Sequence, residues 1–235
     1  MCIRDSFNTL PGWIIGDGIR SGNNNLADEM DWGAGSGLGF QDTMDFWNSS
    51  QTNSYNTIFI DPLVLDLDGD GVQLQNFQQS NALFDIDHDG VKERTGWVTP
   101  TDGLLAIDLN NNGRIDNVSE LFSEYYQGAM GQDGAPGETP FANGFEALAT
   151  LDSNGDGLFS ELDNAWSSVK VWVDADGDAK TDDGELKTLV EAGVVSVNLA
   201  VSNESGDILD GNEVLARGEF VQLIDGVEQT REALS

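Results

Sequence analysis

Positive charge is what this chain has least of. Ten Lys and Arg stand against 42 Asp and Glu in 235 residues, a formal net charge of −32. Such an imbalance excludes nucleic acid and anionic membrane surfaces as partners, because both repel it. A single cysteine, Cys2, excludes an internal disulfide. With that one cysteine and one histidine, His88, neither a Ser/His/Asp nor a Cys/His catalytic set can be assembled. No apolar run is long enough to span a bilayer. No basic segment followed by an apolar core opens the chain, so an export address would lie elsewhere, on a longer parent chain. Glycine-rich nonapeptides are missing too. The acidic clusters follow no fixed period, so spacing does not describe a solenoid.

What is present is enough apolar material for a core, 39% of residues with six Trp and eleven Phe. The acids are gathered into short Asp/Asn/Gly clusters rather than scattered over exposed faces. That favours cation binding over a merely solvating surface, and it predicts a fold that needs the cation. The opening "MCIRDS" reads unlike the rest and is set aside as a fragment edge. Residues 1–56 read as a Gly/Asn-rich flank or linker, with Trp13, Trp32 and Trp47 as docking points. Residues 57–235 read as a calcium-binding module. Strands are expected at "TIFI", "LVLDL", "ALFDI", "GWV", "LLAIDL", "SVKVWVD", "VVSVNLAVS" and "VLARGEFVQLID". Helices are expected at "SELFSEYY", at "NGFEALATL" and at "DGELKTLVEAG", the last stopping at Gly193. The expected class is α+β, with mostly antiparallel strands and a few short helices organised around EF-hand-like calcium loops.

Calcium takes six to eight oxygens, which a loop supplies from positions 1, 3, 5, 7, 9 and 12 with Gly at 6. "DADGDAKTDDGE" fits best: Asp174, Asp176 and Asp178 at 1, 3 and 5, the Lys180 carbonyl at 7, Asp182 at 9 and Glu185 at 12. Ala179 at position 6 departs from the pattern. "DSNGDGLFSELD" places Asp152, Asn154 and Asp156 at 1, 3 and 5, with Asp163, shorter than Glu, at 12. "DLNNNGRIDNVSE" has Asp108, Asn110, Asn112 and Asp116 in order, but its closing Glu120 falls one residue late. Two further segments carry only the first half of a loop. These are Asp66, Asp68 and Asp70, and then Asp85, Asp87 and Asp89. They read either as half-sites completed from elsewhere in the fold or as plain Asp/Gly turns.

Asp61-Pro62 sits at the entry to this region. An Asp carboxylate can attack its own carbonyl carbon to form a five-membered anhydride. The expelled group is then the nitrogen of a tertiary amide. A protein must add geometry, a proton for that nitrogen and stabilisation of the oxyanion. The sequence names no proton donor. His88 lies inside an Asp cluster and reads as a surface residue.

The ordered series "DPLVLDLDGDGV", "FDIDHDGVKERTGWVTPTDGLLAIDLNNNGRID", "SELF", "NGFEALATLDSNGDGLFS", "VKVWVDADGD", "GELKTL" and "VVSVNLA" resembles the self-processing module of iron-regulated RTX proteins, the FrpC type. The resemblance covers about Asp61 to Ala200. It implies calcium-dependent autocatalytic cleavage of the Asp61–Pro62 bond, with Asp61 as nucleophile and acyl donor and Pro62 supplying the leaving nitrogen. It also implies capture of the Asp61 anhydride by water or by a lysine amine, giving an Asp-Lys crosslink to a lysine-bearing protein. The parent it implies is secreted or cell-surface, exported by type I secretion. The activity it implies is intramolecular processing rather than turnover. The competing reading is a non-catalytic structural calcium-binding domain of an adhesin-like surface protein, with Asp61-Pro62 as a turn.

Overall fold

The computed structural model describes residues 2–3, 59–132 and 137–235. They belong to one unit, Met1–Asp5 with Thr57–Ser235. The second unit, Ser6–Asn56, lies outside the described residues, and with it nearly all of the expected flank, including Trp13, Trp32 and Trp47.

The strands, in chain order, are β1 Cys2–Ile3, β2 Phe59–Ile60, β3 Val64–Leu65, β4 Leu74–Gln75, β5 Leu83–Phe84, β6 Glu93–Arg94, β7 Trp97–Val98 and β8 Gly103–Ile107. They continue with β9 Leu158–Ser160, β10 Val169–Trp172, β11 Leu186–Thr188, β12 Val194–Asn198, β13 Ser202–Leu209, β14 Asn212–Ile224 and β15 Val227–Leu234. One sheet dominates, in the order β11-β10-β8-β3-β15-β14-β12-β9, with β13 also paired to β14. Every strand pair in it is antiparallel. Two-stranded pairs β1-β2, β4-β7 and β5-β6 stand beside it.

Residue pattern explains the central position of β3 and β8. Their runs "LVL" and "LLA" are buried on both faces, as a strand covered on both sides requires. Leu63, Leu65 and Leu105 enter one core cluster, with Phe122, Phe145, Phe159 and Phe220. Val64, Leu104 and Ala106 enter the other, with Phe84, Trp97 and Trp172. Farther out, β14 alternates: Val214, Ala216, Phe220 and Gln222 are buried between more exposed neighbours. Its hairpins turn at Asp210-Gly211 and Asp225-Gly226, all four residues having positive φ. Asp-Gly favours the turn type whose twist suits a hairpin.

The α+β expectation is corrected: the fold is nearly all antiparallel β. Among the described residues the α helix is α1, Gly144–Ala149, and a 3-10 turn covers Val118–Glu120. The expected helix at "SELFSEYY" stops there because its backbone is used laterally. Leu121 bridges to Ala106, Phe122 N donates to Leu105 O, and Leu63 N donates to Phe122 O. The expected helix at "DGELKTLVEAG" is the edge strand β11 followed by one turn. Thr188 N donates to Glu191 Oε2 and Glu191 N donates to Thr188 Oγ1, which closes that turn locally. Gly193, at φ 73°, ends it. Four acid loops therefore start from strands β3, β5, β8 and β10, and the Asp152 loop starts just after α1; none joins two α helices.

Candidate functional site

Asp61 and Pro62 are buried at the entry to β3. Three elements converge on them. The Ser235 hydroxyl lies 3.0 Å from the Asp61 main-chain oxygen and 3.0 Å from its Oδ2. It accepts a 2.6 Å hydrogen bond from Gly144 N at the start of α1. Having one proton, it donates to one of the two Asp61 oxygens at a time. Gly144 has no substitute here: a Cβ would stand 2.4 Å from Phe122 O, 2.8 Å from Ser235 Oγ and 3.0 Å from Leu63 Cβ. Asp61 N donates to Glu124 Oε2 at 2.9 Å. Asp61 Oδ1 is buried and has no hydrogen-bond partner.

The electrostatics follow from the missing water. Burial pushes the Asp61 carboxyl up to about 7 and the Glu124 carboxyl up to about 8, the charge of Asp61 adding to the effect on Glu124. The charge of either acid opposes ionisation of the other, so the first proton lost leaves one carboxylate beside one carboxylic acid. Such a singly ionised pair can serve intramolecular attack when the charge is on Asp61 and the proton on Glu124.

The five acidic segments share one backbone form. In each, the first Asp accepts main-chain N–H bonds from the sixth loop residue and from the fourth or fifth, at 2.6–3.2 Å. In each, the fourth and sixth residues have positive φ: Gly69 and Gly71, His88 and Gly90, Asn111 and Gly113, Gly155 and Gly157, Gly177 and Ala179. Ala179, the departure noted in the sequence, takes this left-handed shape at roughly 1–2 kcal/mol and buries its methyl in the aromatic cluster. Gly69 is required by its φ of 89°; the Arg231 guanidinium at the place of a Cβ is the far end of a flexible side chain.

Three loops close locally, and their closing acids bind alike. Glu185 accepts from Ala175 N and Asp182 N, Asp163 from Ser153 N and Ser160 N, and Glu120 from Leu109 N and Asp116 N. Glu120, one residue late in the count, makes the same pair of bonds as the other two. The other two loops gather acids that the sequence reading missed. Asp66 and Asp68 meet Asp102, while Asp85 and Asp87 meet Glu93. Asp174, Asp176 and Glu185 form the third such cluster, each with carboxylate oxygens within 4.8 Å of one another.

Asp70, Asp89, Asp178 and Asp182 stand outside these three clusters. Asp178 is ion-paired to Lys180. The Asp108 and Asp152 loops carry amides instead of some acids. Asn112 Nδ2 donates to Asp116, and Asn154 Nδ2 donates to Asp156 Oδ2 at 3.0 Å. Asn110 Oδ1 accepts from Asn112 N.

The donor set fits a hard cation. It is all oxygen, and burial raises the carboxyls of Asp85, Glu120 and Asp174, and that of Asp102 to about 6. Asp102 Oδ1 is buried in its cluster with no hydrogen-bond partner. Acids so placed need either protons or a metal.

Short strands connect the two kinds of site. Leu65 pairs with Gly103, next to Asp102, and with Ala233; Val64 pairs with Leu234, next to Ser235. Asp66 N donates to Glu232 O. The loop at one end of β3 and the Asp-Pro bond at the other are thus held by the same two neighbours, about 16 Å apart at strand rise.

Glu93 had a sequence signal, since it is the ninth residue counted from Asp85. Asp102, Glu124 and Ser235 had none, because pairing across the sheet brings them in.

Comparison with known proteins points to one family. The family model described as the SPM domain matches residues 63–234. The iron-regulated protein FrpA of Neisseria meningitidis serogroup C is 40% identical over 164 residues. That alignment spans 69% of this chain and 14% of the relative. Among the described residues no helix is long and apolar enough to cross a membrane.

Proposed function

Because this chain belongs to the SPM domain family, the self-processing modules of iron-regulated RTX proteins, we propose that it cuts its own Asp61–Pro62 bond when calcium orders the fold. The observation that carries this reading is the Ser235 hydroxyl, within 3.0 Å of both the Asp61 carbonyl oxygen and its Oδ2. One group thereby holds the nucleophilic carboxyl beside the carbonyl it attacks, so the ring closure loses little entropy.

An Asp61 carboxylate oxygen bonds to the Asp61 carbonyl carbon, and negative charge moves to the carbonyl oxygen, where Ser235 can donate. The C–N bond to Pro62 then breaks, and the nitrogen leaves as a secondary amine after gaining a proton. Asp61 remains as a cyclic anhydride. Water opens it to a free carboxyl-terminal Asp; a lysine amine opens it to an isopeptide. Among this chain's lysines, Lys92, Lys170, Lys180 and Lys187, none is assigned as acceptor, and a lysine-bearing second protein fits equally.

The cation-holding groups are Asp66, Asp68 and Asp102; Asp85, Asp87 and Glu93; and Asp174, Asp176 and Glu185, with the Asp108–Glu120 and Asp152–Asp163 loops as further positions. Calcium, when bound, supplies the positive charge that lets these acids stay ionised and close together. Its level would tie processing to export of a secreted or surface parent.

The test is purification with chelator, addition of millimolar calcium and a denaturing gel. Two fragments divided near residue 61, absent with Asp61→Ala, are expected. A chain that binds calcium and stays intact for hours leaves the structural-domain reading instead.

A further inference from the structure

The reaction needs a proton for the Pro62 nitrogen, and no sequence motif supplies one. Among the described residues, the acid fixed by a hydrogen bond to the reacting residue is Glu124. We propose that Glu124 is the catalytic acid that protonates the leaving nitrogen of Pro62, an assignment that rests on the cleavage reading above.

Geometry carries it. Glu124 Oε2 accepts the Asp61 N–H at 2.9 Å. That nitrogen is three covalent bonds, on the order of 3 Å, from the Pro62 nitrogen. A neutral carboxyl accepts the bond on one oxygen and keeps its proton on the other. The segment is held on both sides of Glu124: Phe122 N donates to Leu105 O, and Glu124 O accepts from Phe141 N. The carboxyl is itself buried, at 9% exposure for the whole residue, which favours its neutral form.

The titratable groups around it are few. Asp61 faces it from the entry to β3, Tyr125 adjoins it, and Glu213 acts on Asp61 from β14. Asp87 acts on Tyr125 from the second acid loop. Each carries negative charge when ionised and so favours keeping the proton on Glu124, while the positive charge of the amino terminus acts the other way on both carboxyls.

The step balances. The electron pair of the breaking C–N bond goes to nitrogen. The Glu124 proton joins it, Glu124 becomes a carboxylate, and the products are the Asp61 anhydride and an amine at Pro62. Solvent then returns a proton to Glu124.

The experiment is the calcium-triggered cleavage rate of the whole chain from about pH 6 to 9.5, for wild type, Glu124→Gln and Glu124→Asp. Wild type should rise as Asp61 ionises and fall at alkaline pH as Glu124 loses its proton. Calcium release does not cause that fall, because deprotonated ligands bind calcium no worse. Glu124→Gln should slow cleavage about 10²–10⁴-fold and lose the alkaline fall, while Glu124→Asp recovers part of the rate. Glu124→Gln cleaving within a few-fold of wild type, with the alkaline fall intact, overturns the assignment and leaves the cleavage reading standing. If Glu124→Gln does not fold, wild type decides alone: a rate flat to pH 9.5 contradicts it. A wild-type chain that never cleaves overturns both proposals.

Discussion

The two ends of β3 hold carboxylates in opposite ways. At its entry, Asp61 is buried, one of its oxygens has no hydrogen-bond partner, and its neighbour Glu124 is a second acid. At its exit, Asp66 receives two main-chain N–H bonds from its own loop and stands beside Asp68 and Asp102. In the first arrangement burial outweighs what favours the charge, namely the amino terminus, the Ser235 hydroxyl and the Leu215 backbone. The second gathers charge that a cation can use. One strand, paired to β8 and β15, joins the two, and the proposed reading makes order at the second a condition for the geometry of the first.

The largest expected effect comes from removing the reactive end. Asp61→Ala should abolish cleavage on any practical timescale while leaving calcium-induced folding, read by circular dichroism, intact. Cleavage at the same bond in that variant would contradict an anhydride route. Ser235→Ala removes the hydroxyl and should slow cleavage on the order of 10²-fold, again with normal calcium binding. An unchanged rate would reduce Ser235 to a packing contact.

At the other end of β3 the expectation is different in kind. Asp102→Asn should raise the calcium concentration needed for half-maximal cleavage by about tenfold, with the full rate recovered at saturation. A lowered maximal rate and an unmoved midpoint would mean that Asp102 acts on the reaction and not on the cation. Asp66→Ala should behave likewise and more strongly. Asp70→Ala should do little, since Asp70 is exposed and outside the cluster.

The comparison also has a pH signature. Asp61 and Glu124 have folded-state pKa values raised to about 7 and about 8. Their contribution to stability is fully present below the ordinary carboxylate range near 4 and is lost as pH rises through those values. At saturating calcium, read before cleavage proceeds, the chain should therefore unfold at lower denaturant at pH 8.5 than at pH 5. The double change Asp61→Asn with Glu124→Gln should flatten that slope; an equal slope would assign it to the loops alone.

The smallest effect concerns the third cluster. The Trp97 and Trp172 indoles donate to Asp174 Oδ2 at 2.6 Å and to Glu185 Oε2 at 3.4 Å. They also pack at 5.5 Å between ring centroids, with Phe84 against both. Calcium should change intrinsic tryptophan emission. Trp97→Phe should cost about 2 kcal/mol through the lost bond to a charged acceptor and mute part of the change. Emission indifferent to calcium would place the cation elsewhere.

How much of this is legible in the sequence depends on distance along the chain. The first halves of the acid loops are local, and Asp/Gly spacing places them at Asp66, Asp85, Asp108, Asp152 and Asp174. Closing acids within thirteen residues are legible too, including Glu120 and Glu185. Asp102 is not, because it reaches Asp66 only through the β3-β8 register. Nor are Glu124 and Ser235, 63 and 174 residues from Asp61. The helices expected at "SELFSEYY" and "DGELKTLVEAG" fail for one reason: helical spacing is a local signal, and here lateral pairing and the Thr188–Glu191 bonds outweigh it. The Asp210-Gly211 and Asp225-Gly226 hairpins carry a clear turn signal that marks the β-rich carboxyl-terminal third.

The most direct measurement is mass spectrometry of the whole chain after calcium addition, with and without a small primary amine. The expected result is a fragment ending at Asp61, a fragment beginning at Pro62, and the amine joined to Asp61 when present. A chain that binds calcium but stays intact, or that breaks at another bond, contradicts the central claim.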